Sequence, residues 1–244
     1  MSRTHGDGAG ASAVRQADTI RRTHRQERHR LARRRAPLIA AAAAAAGGAM
    51  AAATHAPTAG AATALVVTAW CLRRTYTRST TADRWERGAR GERRTARSLD
   101  LARGWIALHD RAIPGSRANL DHLVIGPAGV LYVDTKNWTS PRSRARIEGG
   151  RLSYGRYDQT RAVASVMWEA SRVQAALGVP VRAIISVHGQ PHLPRAGTLV
   201  DTVTVLPAPA LREWLRCQPR RHDEHQVQAL AARADRAFPP YRTR

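Results

Sequence analysis

The sequence predicts an α/β fold, a mixed sheet flanked by helices, with an apolar helical hairpin ahead of it. Two β-type runs, Asn119-Leu120-Asp121-His122-Leu123-Val124-Ile125 and Val130-Leu131-Tyr132-Val133-Asp134-Thr135-Lys136, flank Gly126-Pro127-Ala128-Gly129, a stretch of turn composition. Downstream, Ala162, Val163, Val166, Met167, Ala170, Val173 and Leu177 recur at helical spacing, and the apolar run 181–187 follows Gly178 and Pro180. Upstream, residues 37–72 contain no Asp, Glu, Lys or Arg.

Residues 1–36 carry ten arginines against Asp7, Asp18 and Glu27, with few large apolar side chains. That composition predicts a mobile basic arm, helical at most over 18–35, suited to anionic membrane lipid. The uncharged stretch 37–72 divides at Thr54-His55-Ala56-Pro57-Thr58 into apolar segments 38–53 and 59–72. Each is slightly short of the roughly 20 residues that span a bilayer. With the flanking turn residues counted, a tight transmembrane hairpin is expected, and Gly47, Gly48 and the many alanines allow its helices to approach closely. Arg33-Arg34-Arg35 before it and Arg73-Arg74 after it place both ends on the cytoplasmic side of a cell membrane. The alternative is an Ala/Gly/Thr linker that never inserts and leaves the protein cytoplasmic, because alanine is only weakly driven into lipid. A cleaved secretory signal is disfavoured by the long charged lead.

Residues 73–87 form a linker and the start of a helix over 84–101, in which Glu92, Ala96 and Leu99 share one stripe. Glu92 therefore points inward, or is a solvated acid near the helix start. A first strand over 105–108 precedes the two β runs, and a short one over 151–154 follows them. The periodic helix, the strand 181–187, an extra strand over 200–206 and a helix over 210–216 complete an α-β-β-β-α-β core with additions. Residues 216–244 are a basic tail with one helix over 223–237. Asp158-Gln159 caps the periodic helix or lies near the site described next, and its position favours capping. Met167 and Trp168 read as packing residues. Trp138 is a candidate substrate contact or a packed rim residue, and His188 a phosphate contact or plain surface polarity.

Lys136 is the one lysine among 40 Lys and Arg residues. Lysine is a compact, tunable point charge where arginine is a fixed fork of donors, so its retention in Asp134-Thr135-Lys136 points to chemistry, or to a single position that escaped the bias. Pro127 fits the second position of a four-residue turn. If Ile125 pairs with Val130, the same register sets Leu123 against Tyr132, Asp121 against Asp134 and Asn119 against Lys136. Side chains directly opposite have Cβ atoms roughly 4.5 to 5.5 Å apart, so two carboxylates there repel and a divalent cation would remove the penalty. Alternation along the strand puts Asp134 and Lys136 on one face, next to Asp121.

The ordered set Gly91-Glu92, Ile113-Pro114-Gly115, Asn119 to Gly129 and Val133-Asp134-x-Lys136-Asn137-Trp138 resembles the nuclease-related domain (NERD) family of the restriction-endonuclease-like PD-(D/E)xK superfamily. The likeness covers 88–215 and implies a restriction-endonuclease-like core. It also implies catalytic positions at Glu92, Asp121, Asp134 and Lys136. Leu120 stands where the superfamily has proline, and Asp134 where many members have glutamate. The implied activity is metal-dependent hydrolysis of nucleic acid, most readily DNA. Hard carboxylate oxygens suit Mg²⁺ or Mn²⁺, with Asp121 and Asp134 as direct ligands, the Thr135 carbonyl as a further oxygen and Glu92 acting through water or on a second ion. Lys136 would position and help deprotonate the attacking water, or steady transition-state charge. The alternative is a non-catalytic nucleic-acid-binding or scaffold protein on the same fold.

A net charge of +22 favours polyanions, either nucleic acid or anionic lipid. Arg142, Arg144, Arg146, Arg151, Arg156 and Arg161 could line a phosphate path, or be an ordinary solvated surface built from arginine. Cys71 and Cys217 imply no disulfide framework. No zinc spacing, phosphate-cradling glycine loop or Ser/His/Asp nucleophile set is present.

Overall fold

The computed structural model describes residues 11–76 and 81–241. The first part of the basic arm, the middle of the linker and the last three residues of the tail lie outside the described residues. The chain divides into two compact units, one over 16–84 and one that takes in 85–244.

The first unit is a pair of helices, α1 (Ala11–Thr54) and α2 (Pro57–Tyr76). The arm expected to be helical at most over 18–35 is helical from Ala11 and continuous with the apolar segment: α1 runs through Arg33-Arg34-Arg35 and carries Pro37 inside it. The chain reverses at His55, whose φ of 50° is left-handed, and Pro57 opens α2, where its missing N–H costs no helical bond. The two helices meet at glycines. A Cβ on Gly60 would lie 2.6 Å from the Gly47 carbonyl oxygen and 2.8 Å from the Ala51 Cβ, so only glycine permits this approach. Thr54, Thr63, Thr68 and Thr75 donate their hydroxyls to carbonyls one turn earlier, at 2.8 to 2.9 Å. Within α1, the stretch Ala32–Thr54 is long and apolar enough to cross a membrane.

The second unit starts in α3 (Thr81–Asp100) and contains β1 (Ile106–Ala112), β2 (Asn119–Gly126), β3 (Gly129–Trp138), β4 (Ala145–Glu148), β5 (Arg151–Tyr154) and β6 (Tyr157–Asp158). After these come α4 (Thr160–Leu177), β7 (Val181–Gly189), β8 (Thr198–Val200), β9 (Val203–Pro207), α5 (Leu211–Arg216) and α6 (Glu224–Ala237). Six strands form one mixed sheet in the order β1-β2-β3-β7-β9-β8, and β4-β5-β6 form a separate small sheet. β3 runs parallel to β7 and antiparallel to β2. The turn sets the register expected for it, with Ile125 against Val130 and Leu123 against Tyr132. The apolar run 200–206 is two strands, not one, because Asp201 adopts a left-handed φ of 51° and turns the chain between β8 and β9.

Alternation along the strands builds two cores. Leu123, Ile125, Tyr132, Ile185 and Val187 pack with Val163, Val166 and Val173 of α4 and with Val227, Ala231 and Phe238 in and after α6. On the other face Val124, Leu131, Val133, Ile184 and Leu206 pack with Leu99 of α3 and Leu211 and Leu215 of α5. The residues after 215 are therefore part of the fold. Asp223 and Gln226 form a reciprocal capping box that starts α6. Asp158 accepts from the Thr160 N–H at 2.6 Å just ahead of α4, while Gln159, at the N-cap itself, makes no side-chain capping bond.

Candidate active site

The paired part of β2 and β3 ends at His122 and Val133, and the next residue on each strand is an acid. The strands remain tied there, because the Thr135 N–H donates to Asp121 Oδ2 at 2.9 Å. On its other side β3 continues against β7, with Asp134 opposite Ile185 and Lys136 opposite Val187. Asp134 and Lys136 project to one face, as a two-residue repeat requires, and Lys136 Nζ lies 2.9 Å from Asp134 Oδ1. Glu92 arrives from α3 through its neighbour. A Cβ on Gly91 would lie 2.7 Å from the Asn137 Cβ and 3.2 Å from Thr135 Cγ2, so glycine is what lets α3 lie directly on β3. Asn137 fastens the contact by donating Nδ2 to the Arg87 carbonyl.

These side chains act on one another. Glu92 is buried at 9% exposure. Burial, then the charges of Asp110 and Asp134, push its carboxyl up to about 7 against the opposing pull of Lys136 and Arg93. Burial also raises Asp121, helped by Glu92 and Asp134 and opposed by Lys136 and the Thr135 N–H. Burial disfavours the Lys136 ammonium, yet Asp134 and Asp121 outweigh it and hold the group above the usual lysine range. Lys136 is therefore firmly charged. Asp134 is 6% exposed, and its Oδ2, like Glu92 Oε2, is buried without any hydrogen-bond partner. Two buried carboxylate oxygens without a partner are costly unless a proton or a cation meets them. Among the described residues no three His, Cys, Asp or Glu side chains already stand together as a metal cage.

Two further acids join the site that the sequence reading did not single out. Glu169 of α4 accepts from the Tyr132 hydroxyl at 2.7 Å. Burial raises its carboxyl to about 7; the Tyr132 bond lowers it, Asp134 raises it and Lys136 lowers it. Its signal was available, since Glu169 sits three residues after buried Val166 and four before buried Val173. Asp110 faces Asp121 in the β1–β2 register, between the pairs His109–His122 and Arg111–Leu120. It is buried, has a left-handed φ of 50° and accepts from Asn119 Nδ2 at 3.0 Å.

Other candidates moved. Trp138 stacks on Tyr154, with ring centroids 4.9 Å apart and planes 15° from parallel, and packs on the core. Trp168, expected to pack, is 46% exposed on α4, whereas Met167 packs as expected. His188 Nε2 meets the Thr95 hydroxyl at 2.8 Å instead of facing open solvent. Arg142, Arg144, Arg146, Arg151, Arg156 and Arg161 are all exposed.

No curated protein and no solved structure matches the chain. Residues 87–188 match the family model described as the nuclease-related domain, a span that contains Glu92, Asp121, Asp134, Lys136 and Glu169. By that match, residues 87–188 are similar to the nuclease-related domain (NERD) family.

Proposed function

We propose that the protein is a membrane-tethered, divalent-metal-dependent nuclease that hydrolyses phosphodiester bonds of nucleic acid, DNA foremost, on a restriction-endonuclease-like core. The observation that carries this reading is the pair of buried, unpartnered carboxylate oxygens, Asp134 Oδ2 and Glu92 Oε2, beside a lysine already paired with Asp134. Hard oxygen donors of this kind fit Mg²⁺ or Mn²⁺, which usually keep several waters and take only a few protein ligands. Asp121 and Asp134 would hold the ion, with the Thr135 carbonyl as a further donor and Glu92 binding directly or through water. A bound ion supplies Lewis acidity at the phosphate and a more acidic water.

The chain's own residues do the rest. The Lys136 ammonium, fixed by Asp134, is set to steady negative charge that grows on the phosphate. Its raised pKa favours this role over removing a proton from water. The Thr135 N–H holds Asp121 in place. On α4 an exposed stripe of Arg161, Ser165, Trp168 and Arg172 runs beside Glu169, at spacings that share one helix face. With Arg142, Arg144, Arg146, Arg151 and Arg156 it offers cations and one aromatic face to a phosphate backbone.

The helix pair is read as the tether. Leu38 and Leu65 are each 71% exposed and Trp70 is 58% exposed, a poor surface for water and a fitting one for lipid. Arg33, Arg34, Arg35, Arg73 and Arg74 would then meet anionic lipid on the cytoplasmic side, with the nuclease-related domain.

The test is cleavage of single-stranded, duplex and branched DNA and of RNA by the full-length chain, with Mg²⁺ or Mn²⁺ against EDTA. Metal-dependent cleavage abolished by Asp134→Ala or Lys136→Ala is the expected result, and its absence on every substrate would end the enzyme reading. One observation favours a non-catalytic binding protein instead, namely that no three metal-binding side chains converge among the described residues. That reading predicts DNA retention in a gel shift that survives Asp134→Ala.

A further inference from the structure

Behind the acidic face the sheet holds a chain of polar groups, Asp100, His109 and His122, that leads to Thr135 and has no role in the site so far. Asp100 Oδ1, at the end of α3, lies 3.1 Å from His109 Nε2 on β1. His109 Nδ1 lies 2.8 Å from His122 Nδ1 on β2, with the rings edge to face at 85°. His122 Nε2 lies 3.1 Å from Thr135 Oγ1 on β3. The Thr135 N–H then reaches Asp121 at 2.9 Å. His109, His122 and Thr135 are all buried, and the Asp100 end reaches solvent.

The chemistry of the four groups gives the chain a direction. A carboxylate only accepts, so His109 carries its proton on Nε2. In a neutral His109, Nδ1 is then a lone pair. Two Nδ1 atoms 2.8 Å apart cannot both bear hydrogen, so His122 donates Nδ1–H and keeps a lone pair on Nε2. Thr135 must donate its hydroxyl to that lone pair. The His122 ring is 0% exposed, and its two nitrogens meet His109 and Thr135, neither of them anionic, as a neutral ring requires.

We infer that Asp100, His109 and His122 are positioning residues for the acidic cluster: they fix the tautomers of a buried relay that locks Thr135, and Thr135 in turn sets Asp121 and its own carbonyl for a divalent ion. The relay explains why two histidines occupy adjacent positions on β1 and β2 in an otherwise apolar face lined by Val124, Leu131 and Val133. Apolar residues there would leave Thr135 Oγ1 without a partner and free to turn. The same logic governs outer partners of metal ligands generally, whose hydrogen bonds orient the groups that touch the ion.

This inference rests on the metal-site reading, and the experiment separates the two. The full-length chain in detergent micelles is titrated with Mn²⁺ by calorimetry, without nucleic acid. Asp100→Ala is expected to weaken Mn²⁺ binding about 10-fold, at the lower end of the range for outer-layer partners. Asp100→Asn, whose carboxamide oxygen still accepts from His109, should stay near wild type. Thr135→Val should lose about as much as Asp100→Ala, and the double variant no more than either, because both cut one chain. ¹⁵N spectra of the metal-free protein should show the His122 proton on Nδ1. Wild-type Mn²⁺ affinity in Asp100→Ala, losses that add in the double variant, or a His122 proton on Nε2 would each overturn the relay. If the wild-type chain binds no Mn²⁺, the metal-site reading falls and the relay's role falls with it.

Discussion

Glu92 makes the stability of the metal-free protein depend on pH in an unusual sense. Most native carboxylates are held below their unfolded pKa and stabilise the fold as pH rises, whereas Glu92 is raised from 4.5 to about 7. Between those values the folded state holds more protons than the unfolded state, so stability falls as pH rises through the window. Asp121 is raised too and adds to the same trend. A shift of that size corresponds to about 3 kcal/mol for Glu92 alone, an amount readily measured against the few kcal/mol of a typical domain. The assay is urea unfolding of the full-length chain in micelles between pH 4.5 and 7.5, in EDTA, followed by tryptophan fluorescence. Wild type is expected to lose several kcal/mol across the window, and Glu92→Gln to lose about 3 kcal/mol less. Mn²⁺ at pH 7.5 should restore the wild type more than the variant, which keeps Asp121 and Asp134 but lacks the third carboxylate. Parallel pH curves for wild type and Glu92→Gln would refute the reasoning, as would wild-type stability that rises with pH.

Three more outcomes follow from the geometry. Gly91→Ala forces a methyl into Asn137 and Thr135, so chemical denaturation should show a loss of about 1 to 3 kcal/mol, typical of overpacking, accompanied by weaker Mn²⁺ binding. Trp138→Ala, which removes the stack on Tyr154, should cost about 3 kcal/mol, while exposed Trp168→Ala should stay within about 0.5 kcal/mol and weaken single-stranded oligonucleotide binding in fluorescence polarisation. Alkaline carbonate should leave the full-length protein in the membrane pellet and release a variant lacking Ala32–Thr54; finding both in the supernatant would remove the tether.

The sequence revealed most where one local rule dominates. Turn composition at 126–129 set the β2–β3 register from Ile125–Val130 to Leu123–Tyr132, because a tight turn leaves little choice of pairing, but the pairing ends at His122–Val133, short of the expected Asp121–Asp134 and Asn119–Lys136 pairs. The inner face of α4 was equally plain from its period. Glu92 was legible as an acid on an apolar stripe, and the structure buries it. What stayed hidden depends on partners distant in the chain. β1 continues to Ala112 through Asp110 and Arg111, two charges that hide a strand, because Asp110 is turned by its left-handed backbone and Arg111 pairs with Asp235 of α6. Glu169 and the small sheet that supplies Tyr154 gain meaning only once α4 and β5 are placed. Of its two expected roles Trp138 took the packed one, because Tyr154 lies over its ring, whereas Trp168, expected to pack, is exposed on α4.

The measurement closest to the central claim is a Mn²⁺ titration of the full-length wild-type chain beside Asp134→Asn, which keeps the size of residue 134 while removing its charge. Saturable binding in the wild type that weakens at least about 10-fold in the variant is the predicted result, since a direct ligand should matter no less than its outer partners. Equal affinity in both proteins, or no binding in the wild type, would contradict the account.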